Sequence, residues 1–135
     1  MLNKPIFINL HLLLSISIVI PIAFIYGISP NSLFDIHINS IDEANVFKAI
    51  MGLYLAFASF WIIGVIKPNY WKAATISNLL FMLGLAFGRI ISMLYDGLPS
   101  PLFICGTIGE LVLASYGFFQ LFITKKNTNG NNFNS

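Results

Sequence analysis

The sequence predicts an all-α integral membrane protein: a four-helix bundle of antiparallel, up-down topology with its N- and C-termini cytoplasmic. Three observations predict it. Of 135 residues, 57% are hydrophobic and 9% charged, and the mean hydropathy of +0.83 lies far outside the range of soluble domains. Four apolar runs are each long enough to cross a hydrocarbon core of about 30 Å, which takes about 20 helical residues. Lysines and carboxylates then separate almost completely onto alternate connections between those runs.

The runs are Ile6 to Ile28, about Asn45 to Ile66, Ala73 to Leu94 and Leu102 to Thr124. With their flanks they make one transmembrane domain, residues 1–126. Helices are preferred to strands because the runs lack period-two alternation and carry Ala, Leu, Met and Gly, whereas barrel strands come as alternating segments of about ten residues. Lys4 precedes the first run, as in a secretory signal, but the run is about twice the usual signal core and no small-x-small site follows before Pro30. It is read as an uncleaved helix, kinked near Pro21.

The connections fit this reading. Ser29-Pro30-Asn31-Ser32 is a turn signal, and Phe34, Ile36 and Ile38 then alternate with Asp35, His37 and Asn39, which predicts a short extended piece at the interface. Ser40 stands three residues before Glu43, the spacing of a capping box, so the second helix starts just before the membrane. The short stretch Lys67 to Lys72 makes the second and third spans antiparallel neighbours, and Tyr95 to Pro101 is a Gly/Pro-rich turn. Residues 127–135 hold five asparagines and no apolar face, and are read as a disordered tail.

Orientation follows from charge. Lys4, Lys67, Lys72, Lys125 and Lys126 fall on the side of the N-terminus, the 67–72 connection and the tail; Asp35, Asp42, Glu43 and Asp96 fall on the other. Cytoplasmic connections carry the lysines, so both termini are placed inside. Tyr26 and Tyr95 mark the outer boundary and Trp61, Tyr70 and Trp71 the inner one, Trp61 being equally suited to packing between helices.

Composition also excludes. A net charge of +2 without a basic stripe does not fit a nucleic-acid partner. Cys105 is the only cysteine and His11 and His37 the only histidines, too few for a zinc constellation or an intramolecular disulfide. No metal and no cofactor is expected. Asn9, His11, Ser15 and Ser17 lie in the first span near the cytoplasmic end, at the level of Thr75, Ser77 and Asn78 in the third, and hydrogen bonding between helices accounts for them.

Three charges remain inside or beside spans: Lys48, Arg89 and Glu110. A charge at a helix centre costs about 2.5 to 3.5 kcal/mol on insertion scales, so each needs a partner, water or an escape route. Lys48 sits at the outer boundary, where its stem carries the ammonium to the headgroups. Arg89 is five residues below Leu94, about 7 to 8 Å deep. Glu110 is eight residues past Leu102, about 12 Å deep, and too short to reach the surface. It must face protein or a wet cavity, or carry a proton. In antiparallel third and fourth spans Arg89 and Glu110 reach similar depths, and they are expected to pair. Each charge shares its stripe with small residues: Lys48 with Gly52 and Ala56, Arg89 with Gly88 and Ser92, Glu110 with Gly106, Gly109, Ala114 and Gly117. Gly84 to Gly88 matches GxxxG, and packing within the bundle is its expected use.

The residues Lys48-Ala-Ile-Met-Gly-Leu-Tyr-Leu-Ala56, Gly88-Arg89-Ile-Ile-Ser92, Asp96-Gly97-Leu98-Pro99 and Glu110 resemble the DUF4345-like family of small bacterial four-span membrane proteins of unknown function. The resemblance covers roughly residues 26–118. It departs from the pattern at Lys48-Ala49, where an Arg-Ala pair is expected; a lysine keeps the charge and loses the planar fork. A bacterial family implies the cytoplasmic (inner) membrane as the location. It implies no activity.

Three functions compete. In the first, Lys48, Arg89, Glu110, Asp96 and Ser92 line an outward-facing polar pocket that binds or carries a lipid-like or small anionic ligand. In the second, the same charges form an internal cluster and the chain is a structural or assembly subunit, with a protein partner or as a homo-oligomer. In the third, Glu110 is the acid or base of an intramembrane enzyme. No nucleophile and base pair, phosphate loop or haem-ligating histidine pair supports the third, and no catalytic residue is assigned. Membrane lipids are partners in every case.

Overall fold

In hydrocarbon every backbone N–H and C=O must be satisfied within its own segment, and the long apolar runs meet that demand as helices. The computed structural model describes residues 4–131, with side chains for residues 6–125. The helices are α1 (Lys4–Ile28), α2 (Asn31–Phe34), α3 (Ile41–Ile66), α4 (Pro68–Tyr95) and α5 (Pro101–Asn131). Four of them are long and apolar enough to cross a membrane, over Ile6–Ile28, Ile41–Ile66, Pro68–Tyr95 and Pro101–Lys125. The tail expected at 127–135 falls where side chains, and from residue 132 the backbone, lie outside the described residues.

The helices outrun the apolar runs at their starts, for local reasons. At α3, the Ser40 hydroxyl accepts from the Glu43 N–H at 3.1 Å and Glu43 Oε2 accepts from the Asn39 N–H at 2.6 Å. This is the expected capping pair with its return bond shifted one residue upstream, and it starts the helix at Ile41, ahead of the apolar run, as the Ser40 and Glu43 spacing predicts. At α4, Pro68 occupies the first turn, where a missing N–H costs nothing. The expected 67–72 connection shrinks to Lys67 alone, in extended backbone.

Between α1 and α3 the expected turn at 29–32 is wound into the single helical turn α2, which also takes in Phe34 and is ended by Asp35 in left-handed backbone at φ 53°; residues 35–39, the rest of the expected extended piece, form neither helix nor strand. The reversal turns Phe34 inward rather than along the interface: its ring stacks on Tyr26, with 4.8 Å between centroids.

α1 packs most broadly on α3, α3 on α4, and α4 on α5, while α1 meets α5 and α4 over smaller areas. The bundle is therefore a ring of four with one loosely closed seam, between α1 and α5. Along the core an aromatic ladder runs from Tyr26 to Tyr54 (5.8 Å), Phe81 (5.1 Å) and Trp61 (5.3 Å). Trp61 is fully buried and donates from Nε1 to Ser77 Oγ at 3.1 Å, so it packs between helices rather than marking the boundary.

Glycines permit close approach at three places, Gly27, Gly64 and, against the His11 ring, Gly117, and none is the GxxxG match. A Cβ on Gly27 would strike the Met51 side chain, and one on Gly64 would strike the Ala74 Cβ. Gly84 and Gly88 are exposed, and a Cβ on either would meet nothing within 4 Å. Their expected use inside the bundle is thus incorrect: the stripe faces away from the neighbouring helices. Gly64→Ala is expected to lower stability by about 1 to 3 kcal/mol, the usual cost of overpacking. Gly84→Ala is expected to be neutral or to stabilise by up to about 1 kcal/mol through helix propensity. Unfolding of both variants in mixed detergent, followed by circular dichroism, checks the contrast.

Candidate functional site

Antiparallel packing of α4 and α5 sets Arg89 opposite Glu110, and the two pair as their depths require. Arg89 Nε donates to Glu110 Oε1 at 3.1 Å, with the two side chains 22% and 11% exposed. The other carboxylate oxygen, Oε2, is buried without a hydrogen-bond partner. The guanidinium carbon lies 5.2 Å from the centre of the Phe103 ring, within cation–π range. Phe103 in turn stacks on Phe34 at 5.1 Å. A relay of contacts from Arg89 through Phe103 and Phe34 to Tyr26 therefore ties α4, α5, α2 and α1 together at one end of the bundle.

Beside the pair lies a cavity of about 280 Å³. Arg89 and Glu110 are its charged groups. Its remaining wall is mainly apolar, with Val19 and Ile22 from α1, Met82 and Leu85 from α4, and Leu113 from α5. Phe34 lies across one side. Gly106 and Gly109 leave the α5 wall hollow, since a Cβ on either would meet nothing within 4 Å. The rim residues Ile18, Leu102 and Cys105 are exposed. The cavity thus opens sideways through the α1–α5 seam.

The other expected site residues stand apart from this cavity. Lys48 is exposed on α3 and does not line it. Ser92 donates to Asp96 Oδ2 at 2.8 Å, and the Asp96 N–H bonds the Ser92 carbonyl at 2.7 Å. With Gly97 at φ 101°, these residues end α4 and start the turn into α5. Their chemistry is that of a helix stop. Phe34, Phe103 and Tyr54 line the cavity; the sequence marks none of them as site residues, and its alternation places Phe34 at the interface instead.

A second polar cluster is buried toward the Lys67 end. His11, Ser15, Thr75 and Asn78 are all fully buried. His11 Nε2 and Thr75 Oγ1 are 3.1 Å apart, and Gly117 leaves room for the imidazole. His11 Nδ1, Ser15 Oγ and both amide atoms of Asn78 have no protein partner, so helix-to-helix bonding accounts for this cluster only in part. Among the described residues no group of three or more His, Cys, Asp or Glu side chains is placed to hold a metal ion.

A family model described as "Domain of unknown function (DUF4345)" matches residues 7–121. The chain belongs to the DUF4345 family. The match takes in α1, which the sequence resemblance left largely outside, so every wall of the cavity lies within the DUF4345 region. No curated protein and no solved structure matches this DUF4345 chain.

Removing one member of a buried pair strands the other's charge, at a cost of about 3 to 5 kcal/mol, whereas replacing both with apolar groups is often neutral. Arg89→Met and Glu110→Leu alone are each expected to destabilise strongly, and the double variant to regain most of the loss. Thermal unfolding of wild type and the three variants in one detergent measures the coupling.

Proposed function

We propose that this multi-pass membrane protein binds a lipid-like, amphipathic molecule in the cavity beside Arg89 and Glu110. The observation that carries the reading is the combination of an apolar cavity, one ion pair in its wall, and a side opening through the α1–α5 seam. The apolar part of the ligand lies along Ile22, Leu85 and Leu113, and its polar end meets the pair. Glu110 Oε2 is a buried acceptor lacking a donor. Such a group costs about 1 to 3 kcal/mol, which a ligand hydroxyl or N–H would offset. Arg89 and Glu110 cancel in charge and Lys48 stands elsewhere, so an uncharged donor head suits the cavity better than a free anion.

The ligand enters from the bilayer. Phe34 lies over the cavity, and the exposed rim is made of residues that face lipid. We further infer that both termini are cytoplasmic, that the cavity lies in the outer half of a bacterial inner membrane, and that the lysines of one end and the carboxylates of the other hold this orientation. An assembly role is the second reading. It is favoured by the exposed small residues Gly52, Ala56, Gly84 and Gly88 on α3 and α4, which could meet another helix closely.

Native mass spectrometry of the protein in mild detergent tests the binding reading. Wild type is expected to retain a small amphipathic molecule that Gly106→Leu and Gly109→Leu lose, because each fills the cavity, while Gly84→Leu on the outer surface keeps it. Equal retention in all four would remove the cavity from the account, and a stable oligomer lost only in Gly84→Leu would favour assembly. Orientation is checked separately on a Cys105→Ala background. A membrane-impermeant maleimide is expected to label Asp96→Cys in intact cells and Asn69→Cys only after lysis.

A further inference from the structure

A larger hollow lies at the opposite end, between the start of α4 and the last turns of α5. It measures about 760 Å³, within the range of roughly 300 to 1,000 Å³ usual for ligand sites. Its floor is apolar, built from Ile76, Leu79, Phe118 and Phe122, and Lys72 and Lys125 are both on its lining. Phe118 and Phe122 are 62% and 63% exposed, so the floor is open to whatever surrounds the helices.

Among the described residues neither ammonium group has an acidic partner. The ion pairs among the described residues are His37 with Asp35 and Arg89 with Glu110, neither at this end. The chain has five carboxylates, Asp35, Asp42, Glu43, Asp96 and Glu110, and none lines the hollow. Two unneutralised cations thus stand above an apolar trough facing the bilayer. We propose that this groove holds one anionic phospholipid, its phosphate between Lys72 and Lys125 and an acyl chain laid over Ile76, Leu79, Phe118 and Phe122.

The pattern of charge over trough decides against the other occupants. A soluble anion would use the lysines and leave four apolar side chains without purpose. A second copy of the chain would bring its own lysines to the same place, because this end of the molecule carries Lys67, Lys72 and Lys125 and no carboxylate. Basic pockets between spanning helices are recognised sites for anionic headgroups, and Trp71 adds an aromatic wall to this one. The inference does not depend on the cavity beside Arg89.

The test uses the full chain, delipidated in mild detergent and titrated with phosphatidylglycerol or phosphatidylcholine of identical acyl chains, with bound lipid counted by native mass spectrometry. Wild type is expected to take one phosphatidylglycerol in preference to phosphatidylcholine. The double variant Lys72→Gln/Lys125→Gln is expected to lose about thirtyfold of that preference. Ile76→Trp, which fills the floor, should weaken both lipids, and Lys48→Gln, which removes a lysine lining neither hollow, should change neither. Equal affinity of wild type for the two lipids would overturn the proposal, as would unchanged preference in the double variant. Displacement of the lipid by millimolar inorganic phosphate would overturn it in favour of a plain anion site. A wild-type dimer that Ile76→Trp dissociates would overturn it in favour of a contact between copies.

Discussion

The cost of a carboxylate inside a membrane is the constraint from which the site follows. Glu110 lies too deep and is too short to reach water, so α5 must present it to protein, and a cation at equal depth is the natural partner. Arg89 supplies it because α4 and α5 are antiparallel and joined by a short turn, which makes depths counted from that turn nearly equal. The 3.1 Å bond between them fixes the rotation of both helices about their axes. The Phe103 ring stacks with Phe34 and lies beside the guanidinium, so the pair also decides where the α1–α3 connection folds down.

Holding α5 to α4 leaves the α1–α5 seam loosely closed. Helix association in lipid has no hydrophobic driving force, because acyl chains are as apolar as leucine; what joins two helices is close packing and polar contact. Gly27 against Met51 joins α1 to α3 in this way, and Gly64 against Ala74 joins α3 to α4. Gly106 and Gly109 do the opposite, hollowing α5 where no neighbour approaches. Glycine therefore both closes and opens this bundle, and the type of residue does not say which.

That ambiguity marks the limit of what the sequence discloses. The spans are legible because length and hydropathy report directly on the bilayer, and the Arg89–Glu110 pair is legible because depth can be counted from the turn. The rotation of each helix is not. In water the apolar stripe of a helix identifies its buried face, but here the lipid face and the protein face are equally apolar. For that reason the sequence reads Gly84 and Gly88 as interior when they lie outside, and groups Lys48 with a cavity it does not line. Phe34 reads as an interfacial residue for another reason: its inward place depends on the left-handed backbone at Asp35, and alternation read without that reversal describes an extended piece at the interface.

The buried polar residues of the Lys67 half carry a complementary lesson about stability. His11, Ser15, Thr75 and Asn78 sit at one level of the bundle, and one hydrogen bond, between His11 and Thr75, links them directly. Apolar residues there would have packed without loss, so polarity at this level has to be compensated by groups other than those helices, internal water being the ordinary means. The two halves of the bundle thus solve different problems. Toward the Asp96 end one strong, charged bond fixes a single arrangement of α4 and α5. Toward the Lys67 end α1 and α4 meet through several weak and incompletely met polar contacts, and the groove on which Lys72 and Lys125 stand lies between α4 and α5. α5 forms a wall of both hollows, and the position of Glu110 along it determines which of the two carries the ion pair.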